Sequence, residues 1–311
     1  MKKDHVKLAI LKTISFVRLG RFQFLFGGFT CYSFGASMAI YQGFSFNVYS
    51  YTLGQVVIIL IQLMVHYSND YFDIQADLAN KTSSAWSGGS GILRKNLIHP
   101  KIALLTSVAL LSIALLLVFT LVILGMADKF LVAVILSGLF LSWFYSAPPL
   151  HLHSRGLGEI SATVVLTVLS PIVGFYLQAH TLSEYSYIVL VPVGLLQLNM
   201  LIAVAIPDRE GDETVGKRTL VVILGEKKSK ILYFVTLCLY YICIVIFAVS
   251  KYSKSFLFGG IILIPLSGCI ILNLFSSSQA RKLIPSLPLL SILMLQGVTL
   301  IQIAFFLTLN R

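Results

Sequence analysis

Nine long apolar runs separated by shorter polar stretches organise the 311-residue chain. They lie near residues 22–41, 48–67, 101–124, 129–148, 157–178, 187–206, 231–250, 256–275 and 288–308. Each comes close to the roughly 20 residues a helix needs to cross the hydrocarbon of a bilayer. Uniform hydrophobicity over such lengths predicts helices, because lipid leaves no partner for an unpaired amide and barrel strands are shorter and alternate. The expected fold class is therefore an all-α polytopic membrane protein, with one transmembrane domain over 1–311 led by an interfacial segment over 1–21. Within that segment Lys12 and Arg18 interrupt a short apolar run. The interruption argues against a cleaved signal peptide and for a short amphipathic helix on the membrane surface.

Composition sharpens this picture. Hydrophobic residues make up 57% of the chain and charged residues 11%, against about 25% charged in an average soluble domain. That excludes a soluble globular protein. The formal charge of +11 would suit nucleic acid only if it formed a contiguous basic surface, whereas here the basic residues are spread over short loops, so no nucleic-acid partner is expected. With the N-terminus in the cytoplasm, 19 of the 23 Lys and Arg fall on that side, and only Lys129, Lys251, Lys254 and Arg311 fall on the other. This follows the preference of basic loops for the cytoplasm. Miscounting one helix would scramble the asymmetry. The four cysteines, Cys31, Cys238, Cys243 and Cys269, lie in apolar runs without CxxC spacing, so neither a disulfide framework nor a zinc site is indicated.

Two polar stretches, 68–100 and 207–230, are the longest; they face the same side and hold eight of the twelve acidic residues. Their separation by four spans fits either an internal duplication or merely uneven loops. In the first, Asn69, Asp70, Asp73 and Asp77 share an arc of about 100° if the preceding helix continues through them. In the second, Asp208 and Asp212 are four residues apart on one face, while Glu210 points away. Clustered carboxylates repel by about 4 kcal/mol per pair at 4 Å and an effective dielectric near 20, so a cation must compensate. Hard oxygen donors without clustered His or Cys select Mg²⁺, which is usually held by one or two carboxylates plus substrate phosphate oxygens. A diphosphate is the natural partner. Arg94 and Lys95 follow the glycine turn of Gly88, Gly89, Ser90 and Gly91, and Lys217 and Arg218 follow Gly216. Both are arrangements that bring backbone amides and cations to an anion, although simple membrane anchoring is the alternative for each basic pair.

The stretches Asn69-Asp70-Tyr71-Phe72-Asp73-Ile74-Gln75-Ala76-Asp77 and Asp208-Arg209-Glu210-Gly211-Asp212 resemble the NDxxDxxxD and DxxxD motifs of the UbiA-type intramembrane prenyltransferases. Further similarity lies in Gly216-Lys217-Arg218-Thr219-Leu220 with Leu224-Gly225, in Tyr145-Ser146-Ala147-Pro148-Pro149, and in Gly156-Leu157-Gly158-Glu159. The SGGSG and GKRTL stretches are more similar to the 1,4-dihydroxy-2-naphthoate prenyltransferases of menaquinone synthesis than to other branches, although Ala205-Ile206-Pro207 replaces that group's usual Asn-Asn-x-Arg lead-in.

The resemblance implies nine transmembrane helices around a central cavity, in a multi-pass protein of a prokaryotic cytoplasmic membrane. Both acidic motifs would then lie on the cytoplasmic side. It further implies transfer of a polyprenyl group from polyprenyl diphosphate to an aromatic acceptor. Asp70, Asp73, Asp77, Asp208 and Asp212 would hold Mg²⁺, Asn69 would orient oxygen or metal-bound water, and Arg94, Lys95, Lys217 and Arg218 would take diphosphate oxygens. Tyr145, backed by Tyr71 and Phe72, would face the allylic cation. Arg18, ahead of Arg21, would meet the acceptor carboxylate. Glu159 would orient a base or, preferably, cap a helix; His66 would support Asp70 or simply pack; His151 and His153 are expected to be solvated. The competing classes are a secondary transporter, whose acids belong near mid-bilayer, and the same enzyme type acting on homogentisate, another phenol or a glycerol phosphate.

Overall fold

The computed structural model describes residues 2–80, 89–250, 255–276 and 285–308. Every expected apolar run is helical. The helices are α1 (Lys2–Leu19), α2 (Phe22–Tyr41), α3 (Val48–Phe72), α4 (Ile74–Ala79), α5 (Pro100–Ile123) and α6 (Lys129–Phe144). Next come α7 (Gly158–Val164), a π turn (Val165–Leu169), α8 (Ser170–Ala179), α9 (Glu184–Ile188), α10 (Leu190–Ala205), α11 (Arg209–Thr214) and α12 (Leu220–Val249). Finally α13 (Ser255–Ile262), α14 (Ile264–Phe275) and α15 (Leu287–Thr308) complete the chain. Among the described residues there is no strand, only an isolated extended pairing of Arg155 with Arg218.

The molecule is a multi-pass membrane protein with five to six candidate spans. Five stretches are long and apolar enough to cross alone: α3, α5, the continuous Gly158–Ala179, α12 and α15; α13 and α14, bent by 55°, make a sixth. Helices α6 and α10 are apolar but shorter, and α2 dilutes its phenylalanines with glycine, serine and tyrosine. Helix α6 stops at Phe144, short of the expected 148, because Pro148 and Pro149 cannot continue the helical ladder.

Large apolar side chains such as Leu105, Leu116, Phe119, Ile123 and Phe258 point outward, as expected where the surroundings are lipid. Inside, close helix approach replaces hydrophobic exclusion as the packing rule. Gly35 of α2 lies against the backbone of Pro171 in α8, and Gly174 of α8 lies against the Tyr32 carbonyl of α2. A Cβ at either position would collide with main chain. Several hydroxyls inside the bundle return their protons to the carbonyl four residues earlier, as Thr167, Ser291 and Thr299 do at 2.7–2.8 Å, which satisfies those donors within their own helix.

Two apolar cores flank α2 and α8, one against α10, α12 and α15, the other against α3, α5 and α6. A smaller one, built by Leu19, Tyr67, Ile92, Leu93, Ile98 and Ala103, seats the loop after α4 beneath the end of α3. The leading segment is indeed a helix, α1; Tyr67 Oη donates to the Phe16 carbonyl at 2.9 Å and fixes it to α3.

Candidate active site

The ends of α3 and α10 converge on one side of the bundle. Helix α3 ends at Phe72, one residue before Asp73, and α4 restarts at Ile74. The expected uninterrupted helix is thus broken at Asp73, but i to i−4 bonds persist across the break, from Asp73 N to Asn69 O at 2.8 Å and from Asp77 N to Asp73 O at 2.9 Å. Asn69, Asp70, Asp73 and Asp77 therefore remain a helical series. After α10, the turn through Pro207 leads into α11, where Asp212 N bonds Asp208 O at 2.9 Å and keeps the two aspartates four apart on one face. Glu210 is exposed, as its phase requires.

Side-chain contacts tie the two motifs together. Lys217 Nζ donates to Asp73 Oδ2 at 2.7 Å and stands 3.5 Å from Asp212 Oδ1. Asn80 Nδ2 donates to Asp208 Oδ1 at 2.7 Å, and Gly211 lies so close to the Asn80 backbone that a side chain there would crowd it. Asp70, buried at 2% exposure, accepts from the Arg21 guanidinium and from both the hydroxyl and the backbone amide of Ser90. Asn69 Nδ2 donates to Asp73 Oδ2 at 2.8 Å and to Ser146 Oγ at 3.0 Å. Gly89, at φ +69°, sets its Cα directly against the Asp77 carboxylate, a fit that no residue with a Cβ can make.

Electrostatics divide these acids. Burial works to raise Asp73, yet Lys217 and His153 hold it below the usual carboxylate range. Burial likewise opposes the charge on Lys217, but Asp73 and Asp212 raise it above its ordinary value. Asp77 goes the other way: burial and then the charge of Asp70 push it up to about 7. Asp212 is raised to about 6 by burial, with Asp208 and Asp73 adding to the effect against Lys217.

Several side chains stand elsewhere than expected. Arg21, not Arg18, enters the site: α1 ends at Leu19, and Arg21 takes a left-handed turn (φ 46°) that aims it at Asp70, while Arg18 stays exposed on α1. His153, expected in solvent, is 3% exposed and bonds Asp73 through Nε2; the turn after α6 folds it under the Tyr145 ring, 5.3 Å between centroids. Lys95 and Arg218 are exposed; their backbone amides are engaged, Arg218 N with Ser154 O at 3.2 Å and Lys95 N with Gly91 O at 3.3 Å. Arg94 reaches the Asn80 carbonyl at 3.3 Å. Glu159 caps a helix, but one far along the chain: its Oε1 accepts from Leu220 N at the start of α12, 3.1 Å away. His66 bonds the Gly20 carbonyl at 2.7 Å. Tyr71 and Phe72 pack against each other, and Phe72 against His151. Gly88 lies outside the described residues.

A cavity of about 270 Å³ opens from this cluster into the bundle. Arg21, Asn69 and Tyr145 form its polar end, and the rest is mainly apolar wall from α2, α3, α10 and α15, closed by Val165 and Leu166 of the π turn. Such turns often accompany functional sites. Among the described residues no three carboxylates, imidazoles or thiols stand close enough to hold a metal ion by themselves. The donor set still suits a hard dication that completes its shell with phosphate oxygens: the motif donors are carboxylates, and burial raises two of them, Asp77 and Asp212.

A model of the UbiA prenyltransferase family matches residues 29–305. The 1,4-dihydroxy-2-naphthoate octaprenyltransferase of Bacillus subtilis (strain 168) is 23% identical over 205 residues, which are 66% of this chain and 64% of that protein. The match thus spans just under two thirds of the relative's length. The enzyme of the same name from Escherichia coli (strain K12) is 28% identical over 234 residues, 74% of each chain. Among solved structures, a UbiA homolog from Archaeoglobus fulgidus bound to GPP and Mg²⁺ has a TM-score of 0.61 at 14% identity, covering 92% of this chain and 99% of that one. That likeness is one of fold.

Proposed function

The chain belongs to the UbiA prenyltransferase family, and on that footing we propose that it transfers a polyprenyl group from polyprenyl diphosphate to an aromatic acceptor, 1,4-dihydroxy-2-naphthoate of menaquinone synthesis. The observation that carries the proposal is Lys217, whose ammonium joins Asp73 of the first acidic motif to Asp212 of the second, with Asp73 one hydrogen bond from Asn69 on the wall of an apolar cavity. An anion arriving there meets carboxylate-bound cations on both flanks, and its hydrocarbon tail meets the cavity wall. In this reading all nine apolar stretches cross the membrane, within a single domain, and the N-terminus and both motifs lie in the cytoplasm. The similarity to enzymes named for 1,4-dihydroxy-2-naphthoate supports the acceptor assignment.

The energetic problem is the charge that develops on the leaving diphosphate. Asp70, Asp73, Asp77, Asp208 and Asp212 are the residues that would hold Mg²⁺, which would supply positive charge to neutralise those oxygens. Lys217 and Arg94 take outer oxygens, Asn69 orients one of them, and the Ser90 amide stands where backbone N–H groups meet an anion. Tyr145 on the cavity wall presents its ring to the allylic carbon as the C–O bond breaks, and the apolar wall keeps water from that carbon. The ring of the acceptor supplies the electron pair for the new C–C bond, and the attacked ring carbon then gives up the group it carried, a proton or the carboxylate as CO₂, to restore aromaticity. Arg21, whose Nε is buried without a partner on the cavity wall, receives the acceptor carboxylate.

Asp70→Asn and Asp208→Asn test the assignment in membranes supplied with geranyl diphosphate, Mg²⁺ and 1,4-dihydroxy-2-naphthoate. Each is expected to cut diphosphate release by about 10²–10³-fold or more, the scale for loss of one preorganised charge contact, with unchanged protein yield. Undiminished transfer in both variants rejects it. Quinones extracted from a deletion strain, with and without the restored gene, test the acceptor.

A further inference from the structure

Gln197 lines the cavity on the same face of α10 as Met200, Leu201 and Val204, yet the chemistry above makes no use of it. It is 2% exposed, and its Nε2 is buried with no hydrogen-bond partner. Two other glutamines on the wall are occupied. Gln296 Oε1 accepts from Thr30 Oγ1 at 2.7 Å, and Gln62 sets its amide against α2 at Gly28. An amide left unpaired in an apolar, lipid-embedded space is costly, and a buried polar group without a partner points to a ligand or a water that completes it.

Which ligand follows from what each substrate offers. An isoprenoid tail has no hydrogen-bonding atom, and the diphosphate belongs with the aspartates, while Gln197 precedes Asp208 by about 16 Å of helix rise. Only the acceptor ring carries an oxygen that can reach this wall. We propose that Gln197 is a specificity-determining residue, its amide donating to a ring oxygen on the side of the acceptor away from the carboxylate at Arg21. The inference rests on the proposed prenyl transfer and deepens it: the acceptor class becomes a hydroxylated aromatic acid gripped at both ends. A site built to bond a substrate hydroxyl rejects the analogue that lacks it, because the buried group is then left unpaired.

The test compares 1,4-dihydroxy-2-naphthoate with 1-hydroxy-2-naphthoate, using full-length protein in membranes with geranyl diphosphate and Mg²⁺. Wild type should favour the dihydroxy acid in kcat/KM, and Gln197→Leu should shrink that preference by about tenfold or more while the KM for geranyl diphosphate stays unchanged. Loss of the second hydroxyl changes intrinsic reactivity equally in both proteins, so the ratio of the two preferences isolates the contact. Gln197→Met, of similar length, replaces the leucine variant if that one is not recovered from membranes. Equal loss on both acceptors, or an unaltered preference, overturns the role of Gln197 while leaving prenyl transfer standing. A wild-type protein that prenylates neither acid overturns the underlying reading instead.

Discussion

The acidic cluster has two tiers that the same fold treats differently. At the end of α3, Asp70 and Asp73 are matched to partners from the chain itself, the Arg21 guanidinium for one and the Lys217 ammonium with the His153 imidazole for the other. On α4 and α11, Asp77 and Asp212 are raised to about 7 and about 6 because burial and like charges outweigh the help they receive. The first tier is a finished piece of architecture. The second is short of positive charge, and that shortage locates where an external dication does most good.

The largest effect that would break this contrast is expected from Lys217→Met, which strips Asp73 of its ammonium and turns the finished tier into an unfinished one. Removing one partner of a buried ion pair costs about 3–5 kcal/mol, so the thermal midpoint should drop by several degrees and transfer by about 100-fold or more. A variant with wild-type melting would show that the two tiers do not differ as described.

The pH dependence comes next. Both raised carboxyls have folded values above their unfolded ones, so their contribution to stability is present below about pH 4 and is lost as pH rises through about 6 to 7. Ionising them in the metal-free site is the costly step, and Mg²⁺ offsets it. Stabilisation by Mg²⁺ in a melting assay should therefore grow from about pH 5 to about pH 8, with protons released on binding near pH 6.5. A pH-independent metal shift would place the dication elsewhere.

Gly89→Ala sharpens the contrast more gently. Its methyl would meet the Asp77 carboxylate at a positive φ, displacing the second tier first, so the apparent Mg²⁺ affinity should fall by about tenfold with a melting loss smaller than that of Lys217→Met. The smallest effect is expected from Lys95→Ala and Arg218→Ala. Both side chains are exposed, and kcat/KM for the diphosphate should change by less than about threefold.

Much of this arrangement was legible in residue order alone, and the exceptions have physical causes. Aspartates at offsets of four and eight must share a face on any helix, and the sign and clustering of charge announce a cation and an anion between them. His153 was not legible, since nothing local distinguishes it from His151; its burial comes from the turn after α6 folding back on α3. Arg21 and Arg18 differ only in whether α1 has ended before them, and helix ends are poorly fixed by pattern. Gln197 was one of two amides, with Asn199, in the apolar run 187–206; an unexplained amide within a spanning helix is itself a signal worth reading. The shortness of α6 was written in its prolines, whereas α10 is short at its other end, where the run breaks at Val189 after α9.

The mutual glycine contact between α2 and α8 makes α2 a lever with a fixed fulcrum. Arg21 sits about 21 Å of helix rise from Gly35, so a tilt of about 3° at that pivot swings the guanidinium by about 1 Å. Displacements of that size can cost about 100-fold in rate. One added methyl at position 35 or 174, deep in the bundle and far from any carboxylate, would therefore be felt at Asp70.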